Sequence, residues 1–245
     1  MRQQEFEVHG VLADVADAAG VQRIADEALK TFGKIHLVCN NAGVAGGGAV
    51  PIWKTTDNDW AWVFGVNFWG VLHGVRTFTP IMLEQGEGGH IVNTASLVGL
   101  MYGGGIYGVS KHAVVALTES LYRDLQVRDS QVSASVLCPG FVKTRNIDAE
   151  RNRPDRLAGA PPEETDATKA LRDFAETMIR QGMSPEDVAE LVFEAVRDDR
   201  FYILPHPAWD DTFRDRAETI LSRGNPPRLD FQEQFQERLS GKDQW

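Results

Sequence analysis

The chain has 245 residues, 42% of them hydrophobic, enough for one large domain with a substantial core. Its net charge of −10 argues against a nucleic-acid surface. No apolar run approaches the ~20 residues of a membrane span and no signal peptide opens the chain, so no membrane role is expected and a cytoplasmic protein is.

Residues 5–14 read as a strand. Asp17 then caps a helix whose apolar positions Val21, Ile24, Ala25, Ala28, Leu29 and Phe32 share one face, and Gly33 ends it. Residues 35–40 form an apolar strand that runs into Asn41-Ala42-Gly43 and the loop Gly46-Gly47-Gly48. Strand, helix, strand is the pattern of a parallel sheet. Thr56 and Asp59, spaced as a capping box, open a helix carrying Trp60, Val63, Phe64, Val66, Phe68, Val71 and Leu72. Pro80 should kink it or mark its last turns.

A second apolar strand, residues 89–96, ends in the hydroxyl of Ser96. Gly103-Gly104-Gly105 then supply a turn into a long helix with Tyr107, Lys111, Val114, Leu117, Leu121 and Leu125. Residues 131–138 are another strand. Cys39 and Cys138 both fall in apolar strand-like runs and read as small buried hydrophobes, not as a disulfide. Residues 146–162 are a loop, and residues 165–181 and 184–196 are amphipathic helices, the second opened by Ser184-Pro185 with Asp187 at the third position. Residues 201–204 are a last short strand. After Pro226-Pro227 comes a tail in which Phe231, Phe235 and Leu239 recur every four residues.

The chemistry concentrates at the head of the Tyr107 helix. Positions i and i+4 share a helix face, so Tyr107 and Lys111 point into one cavity. A lysine cation ~4 Å from a phenol, at an effective dielectric of about 20, is worth about 4 kcal/mol, or roughly three pKa units at most. Such a phenol exchanges protons with an alcohol near neutral pH. Tyrosine capping a core face with lysine snorkelling to solvent is the competing reading of that spacing taken alone. Asn67, an amide among Val66, Phe68 and Trp69, needs hydrogen-bond partners, since a buried amide without them costs roughly 1–3 kcal/mol. His73, His90 and His112 have no metal-like spacing with cysteine, so no metal site is expected.

Asn40-Asn41-Ala42-Gly43, Asn67, the strand ending at Ser96, Tyr107 with Lys111, and Pro139-Gly140-Phe141-Val142-Lys143-Thr144 occur in that order. The set resembles the classical short-chain dehydrogenase/reductase family, and the resemblance runs from about Asp14 to about Thr144. It implies an α/β fold, a Rossmann-like doubly wound parallel sheet in a single domain over residues 1–245. Within that domain, residues 1–144 would be the cofactor and catalytic core, 145–223 the lid helices and last strand over the substrate, and 224–245 a C-terminal tail.

The activity it implies is NAD- or NADP-dependent interconversion of a secondary alcohol and a carbonyl by hydride transfer, with a small-molecule substrate. By resemblance, Tyr107 moves the hydroxyl proton, Ser96 hydrogen-bonds the substrate oxygen, Lys111 bonds the nicotinamide ribose, and Asn67 holds a water that links the lysine to solvent. Asn40, Ala42 and Gly43 would line the adenosine side and Asp14 the adenine edge. Pro139, Gly140, Val142 and Thr144 would fit the nicotinamide. Ten residues separate Ser96 from Tyr107, fewer than the family usually shows, which bears on the pocket wall formed by Met101 and Tyr102. A halide-releasing branch of the same fold carries arginine where this chain has Lys111, and is set aside. The long helices around Asn67 and Tyr107 form dimer and tetramer faces in the family, so a homodimer or homotetramer is expected.

The family's opening strand, Gly-rich pyrophosphate turn, helix and second strand have no counterpart here, so the fold is expected to be incomplete in its N-terminal half. In the family's strand order those elements lie between residues 5–14 and residues 35–40, which leaves the first strand without a neighbour. Two readings follow: a shortened oxidoreductase, or a cofactor-deficient homologue that serves as a non-catalytic binding or scaffold protein. The residue that tells NAD from NADP would lie in the missing segment.

Overall fold

A computed structural model describes residues 6–46, 50–159 and 165–228. Among these residues four parallel strands, β1 (Leu37–Asn40), β2 (Gly89–Thr94), β3 (Val132–Leu137) and β4 (Tyr202–Ile203), lie in the order β1-β2-β3-β4. Their register aligns Cys39 with Val92, Val92 with Ser135, and Leu137 with Ile203, so the C-terminal ends of all four open on one side. The helices are α1 (Ala18–Phe32), α2 (Asp57–Phe64), α3 (Gly70–Gln85), α4 (Gly105–Val127), α5 (Asp166–Gln181), α6 (Pro185–Arg197) and α7 (Asp210–Leu221).

Alternation along the strands sends residues to two cores. Val38, Ile91, Ala134 and Val136 pack with Val71, Val75, Phe78, Met82, Val114 and Leu121 of α3 and α4. Val92, Leu137 and Ile203 face the other way onto Val188 and Ala195 of α6. Helices on both faces of a parallel sheet make the Rossmann-like α/β arrangement expected from the motif order.

The caps follow the sequence closely. Asp17 accepts from the Ala19 amide, and Gly33 ends α1 at φ 80°. The Thr56–Asp59 capping box forms in both directions, and Ser184 accepts from the Asp187 amide with Pro185 at the first helical position. Pro80 lies inside α3, which runs on to Gln85.

Four expectations need correction. Residues 6–14 form no strand, while residues 1–5 lie outside the described residues. A strand satisfies its backbone only by pairing, and here the Leu12 carbonyl instead accepts from Arg23 of α1 while His9 pairs with Glu27. Among the described residues β1 is thus the edge of the sheet, and beside it lies an apolar cleft of about 290 Å³ lined by Val15, Ile24, Ala28, Val38, Val71 and Phe78. Second, Cys39 is exposed on this edge strand, whereas Cys138 is buried as expected. Third, the α2–α3 segment is not one α-helix: a π turn at Gly65–Trp69 interrupts it. Fourth, part of the presumed loop after Thr144 coils into 3₁₀ turns at Asn146–Asn152 and Asp155–Leu157. Arg153 fastens that segment to α2 through Asp59 at 2.7 Å and the Trp62 ring at 4.9 Å. Helix α7 carried no sequence assignment, and the tail positions Phe231, Phe235 and Leu239 lie outside the described residues.

Candidate active site

Two elements deliver the central side chains. Strand β2 ends at Thr94, and Ser96 follows in extended conformation at the C-terminal edge of the sheet, 8% exposed. Gly103, Gly104 and Gly105 all have positive φ, 56–84°, a run that only glycine tolerates, and they turn the chain sharply into α4. Tyr107 thereby enters the first turn of α4 facing Ser96, and Lys111 follows one turn later.

The Ser96 hydroxyl faces the Tyr107 phenol and donates to the Pro139 carbonyl at 3.3 Å. Lys111 is 3% exposed. Its Nζ lies 5.6 Å from the Tyr107 ring centroid and donates to the Thr94 carbonyl at 2.9 Å. Burial pushes the Lys111 ammonium down to about 8. Burial likewise raises the Tyr107 phenol above its ordinary value, the Ser96 hydrogen bond pulls it back in part, and the Cys138 thiol adds to the rise. The expected acidification of Tyr107 by Lys111 is therefore corrected. Desolvation dominates a half-buried phenol whose neighbouring ammonium is itself made readier to lose its proton and is committed to a backbone carbonyl. The Cys138 thiol, buried beneath the site, is pushed up to about 12 by burial and stays neutral.

Asn67 is fully buried within the π turn. Its Oδ1 accepts from the Val44 amide at 2.8 Å, and its Nδ2 donates to the Val44 carbonyl at 3.0 Å and to Ser110 Oγ at 3.1 Å. Ser110 in turn donates to the Tyr107 carbonyl at 2.7 Å. One amide thus ties the loop after β1 to the first turn of α4, and π turns of this kind recur at functional sites. A Cβ on Gly43 would stand 3.6 Å from both Asn67 Oδ1 and Lys111 Nζ, so Gly43 closes the same cluster.

The remaining sequence candidates separate. Asn40 turns inward, donating to Asn93 at 2.8 Å, and Asn93 continues to Thr118 at 3.0 Å. Ala42 lines the cleft beside β1. Asp14 is exposed and caps a turn by accepting from the Ala16 amide at 2.9 Å. The Pro139 carbonyl also accepts from the Leu97 amide at 2.9 Å, and Gly140 sits so close to Leu97 that a Cβ would come within 2.7 Å of it. Val142 bridges to Met183 in parallel, and the Thr144 amide donates to the Val142 carbonyl at 2.7 Å.

Two residues escaped the sequence reading. The Thr94 carbonyl anchors Lys111, a backbone role that no residue type announces. His206, 1% exposed, accepts from the Gly140 amide at 3.1 Å, and a lone histidine after a two-residue strand carries no sequence signal. Met101 packs with Leu97, Met178 and Trp209 in an apolar cluster beside Ser96, bordered by Phe141, Phe174 and Phe213. Tyr102 reaches the Arg216 carbonyl of α7 at 3.4 Å.

The model of the family described as short chain dehydrogenase matches residues 1–155. The chain belongs to the short-chain dehydrogenase/reductase family. Among its short-chain dehydrogenase/reductase relatives is a CLA biosynthesis dehydrogenase/reductase of Lactiplantibacillus plantarum, 35% identical over 224 residues, covering 90% of this chain and 78% of that one. A C alpha-dehydrogenase of Sphingobium is 32% identical, over 91% of this chain and 72% of its own. The crystal structure of a family member from Burkholderia phymatum in complex with NAD is similar with a TM-score of 0.85 and 50% identity, over 90% of this chain and 79% of that one. The chain is accordingly a nicotinamide-cofactor-dependent oxidoreductase, and the non-catalytic reading is not favoured. Among the described residues, no helix is long and apolar enough to cross a membrane.

Proposed function

We propose that the chain interconverts an apolar secondary alcohol and its carbonyl counterpart, with Tyr107 transferring the hydroxyl proton, Ser96 holding the substrate oxygen and Lys111 binding the cofactor ribose. The observation that carries this reading is the convergence of the three side chains at the C-terminal edge of β2, where open parallel sheets bind ligands. The nicotinamide cofactor accepts or donates the hydride when bound. Gly140, where a Cβ would clash with Leu97, Gly43 beside Lys111, and the cation at Lys111 fit its nicotinamide riboside end.

Each residue has a separable task. A half-buried phenol held protonated is the form that gives a proton to a carbonyl oxygen, so reduction is the direction for which Tyr107 stands ready at neutral pH. Ser96 presents its oxygen beside the phenol. The Lys111 ammonium, down at about 8, exchanges its proton close to neutrality. The apolar cluster of Leu97, Met101, Met178 and Trp209 supports an uncharged, hydrophobic substrate, with residues 145–223 as its cover. Asp14 directs its side chain to a turn and Asn40 directs its side chain to the core.

We further propose that the chain is a homodimer or homotetramer of the reducing cytoplasm, in keeping with its two free cysteines. The test is fluorescence titration with NADH and with NADPH, followed by reduction of a hydrophobic ketone such as acetophenone in wild type and Tyr107→Phe. Binding of either cofactor with turnover that Tyr107→Phe abolishes supports the proposal. Absence of binding, or unchanged turnover in the variant, overturns it.

A further inference from the structure

We propose that His206 is a positioning residue that fastens the Pro139–Gly140 turn against Ser96, a role that rests on the oxidoreductase reading above. The turn follows directly on β3, whose last ladder bond, from the Cys138 amide to the Ile203 carbonyl, leaves the next backbone groups without a strand partner. The Pro139 carbonyl turns toward the catalytic loop and receives both the Leu97 amide at 2.9 Å and the Ser96 hydroxyl at 3.3 Å. The Gly140 amide points the opposite way and donates to His206 Nδ1 at 3.1 Å.

The ring is well placed to hold that amide. His206 is 1% exposed, and its own carbonyl accepts from the Trp209 amide at 3.1 Å, which roots it in the turn leading to α7. Its ring lies flush against Gly140, where a Cβ would come within 3.2 Å of Cγ. Burial lowers its affinity for a proton, although the Phe141 backbone raises it in part, and the neutral ring offers Nδ1 as an acceptor. Ser96 is thereby held from two directions: by its own strand, and by a carbonyl whose peptide plane His206 anchors. The same ring touches the peptide that would face the nicotinamide, so one side chain sets both the oxygen-binding hydroxyl and the cofactor-facing backbone. A misplacement of about 1 Å at such a point costs on the order of 100-fold in rate.

The experiment compares wild type, His206→Asn, whose amide oxygen replaces Nδ1 as an acceptor, and His206→Leu, which removes it. Hydrogen exchange at the Gly140 amide should be about tenfold faster in His206→Leu and near wild type in His206→Asn, as expected for one hydrogen bond lost or kept. NADH affinity should follow the same order, about tenfold weaker in His206→Leu and restored in His206→Asn, at matched thermal stability. Nitrogen NMR of wild type should show Nδ1 without a proton. Gly140 exchange or NADH affinity that is unchanged in His206→Leu, an asparagine that behaves as leucine does, or a protonated Nδ1 would each overturn the assignment. A wild type that binds neither NADH nor NADPH contradicts the oxidoreductase reading instead, and the Gly140 exchange and Nδ1 protonation still decide the fastening. Should His206→Leu fail to fold, His206→Asn and the wild-type nitrogen spectrum retain the test.

Discussion

The Tyr107 phenol shows how burial and function oppose each other at single residues. Desolvation raises it, and the lysine that should lower it is itself depressed to about 8 by the same desolvation. Tyr107→Phe should lower kcat by about 100-fold to 10,000-fold, the range of a lost general acid, with the melting temperature unchanged or higher. Lys111→Met should remove activity and stabilise the fold at pH 7. Between its folded value near 8 and the ordinary 10.5, the unfolded chain holds the lysine proton and the folded chain does not. Stability from this residue therefore rises with pH across that window, and below it the buried cation costs on the order of 3 kcal/mol. Urea titrations of both proteins at pH 7 and pH 10 check the sign: the gap between variant and wild type should narrow at the higher pH.

At the scale of elements, two junctions hold the catalytic loops in place. Asn67 is the joint between the segment after β1, the π turn and α4. Asn67→Ala would leave the Val44 amide and carbonyl buried without partners, at about 1–3 kcal/mol for each group. Urea unfolding should show a loss of about 2–5 kcal/mol, with activity falling further than stability alone explains. Asp59 serves a second joint, closing the α2 capping box and receiving Arg153. Burial raises its carboxyl, yet Thr56 and Arg153 together hold it below the ordinary 3.8. Its contribution is thus present above that value and lost as pH falls through the folded one. Asp59→Asn should cost about 0.5–2 kcal/mol at pH 7, as for other lost caps, and the difference from wild type should vanish in acid.

For the whole molecule, the surface of the α2–α3 segment bears directly on assembly. Trp60, Phe64, Phe68, Trp69 and His73 form a ladder of rings with neighbouring centroids 5.5–6.2 Å apart, and Trp69 is 47% exposed. On α4, Val109 is 44% exposed. Apolar side chains on adjacent long helices suit a two-fold interface between copies. Sedimentation equilibrium at micromolar concentration should return a dimer or tetramer, and Trp69→Glu should shift it toward monomer. A monomer in wild type would rule out this assembly.

Much of the organisation was legible in residue order, because local rules fix it. Caps at Asp17, Thr56 and Ser184, the glycine run before α4, and the i, i+4 spacing of Tyr107 and Lys111 are short-range features whose physics is contained in a few neighbours. The family followed from the order of its motifs. Pairing and desolvation were decided only by the tertiary structure. Residues 6–14 carry a strand-like pattern but pair with no strand among the described residues, and the Leu12 carbonyl bonds Arg23 of α1 instead. The sign of the Tyr107 shift depends on how much water the fold excludes from the phenol, and the hold of His206 on Gly140 joins residues 66 positions apart. Sequence spacing specifies which groups share a helix face, but solvent exclusion and long-range partners exist only once the sheet has brought its loops together.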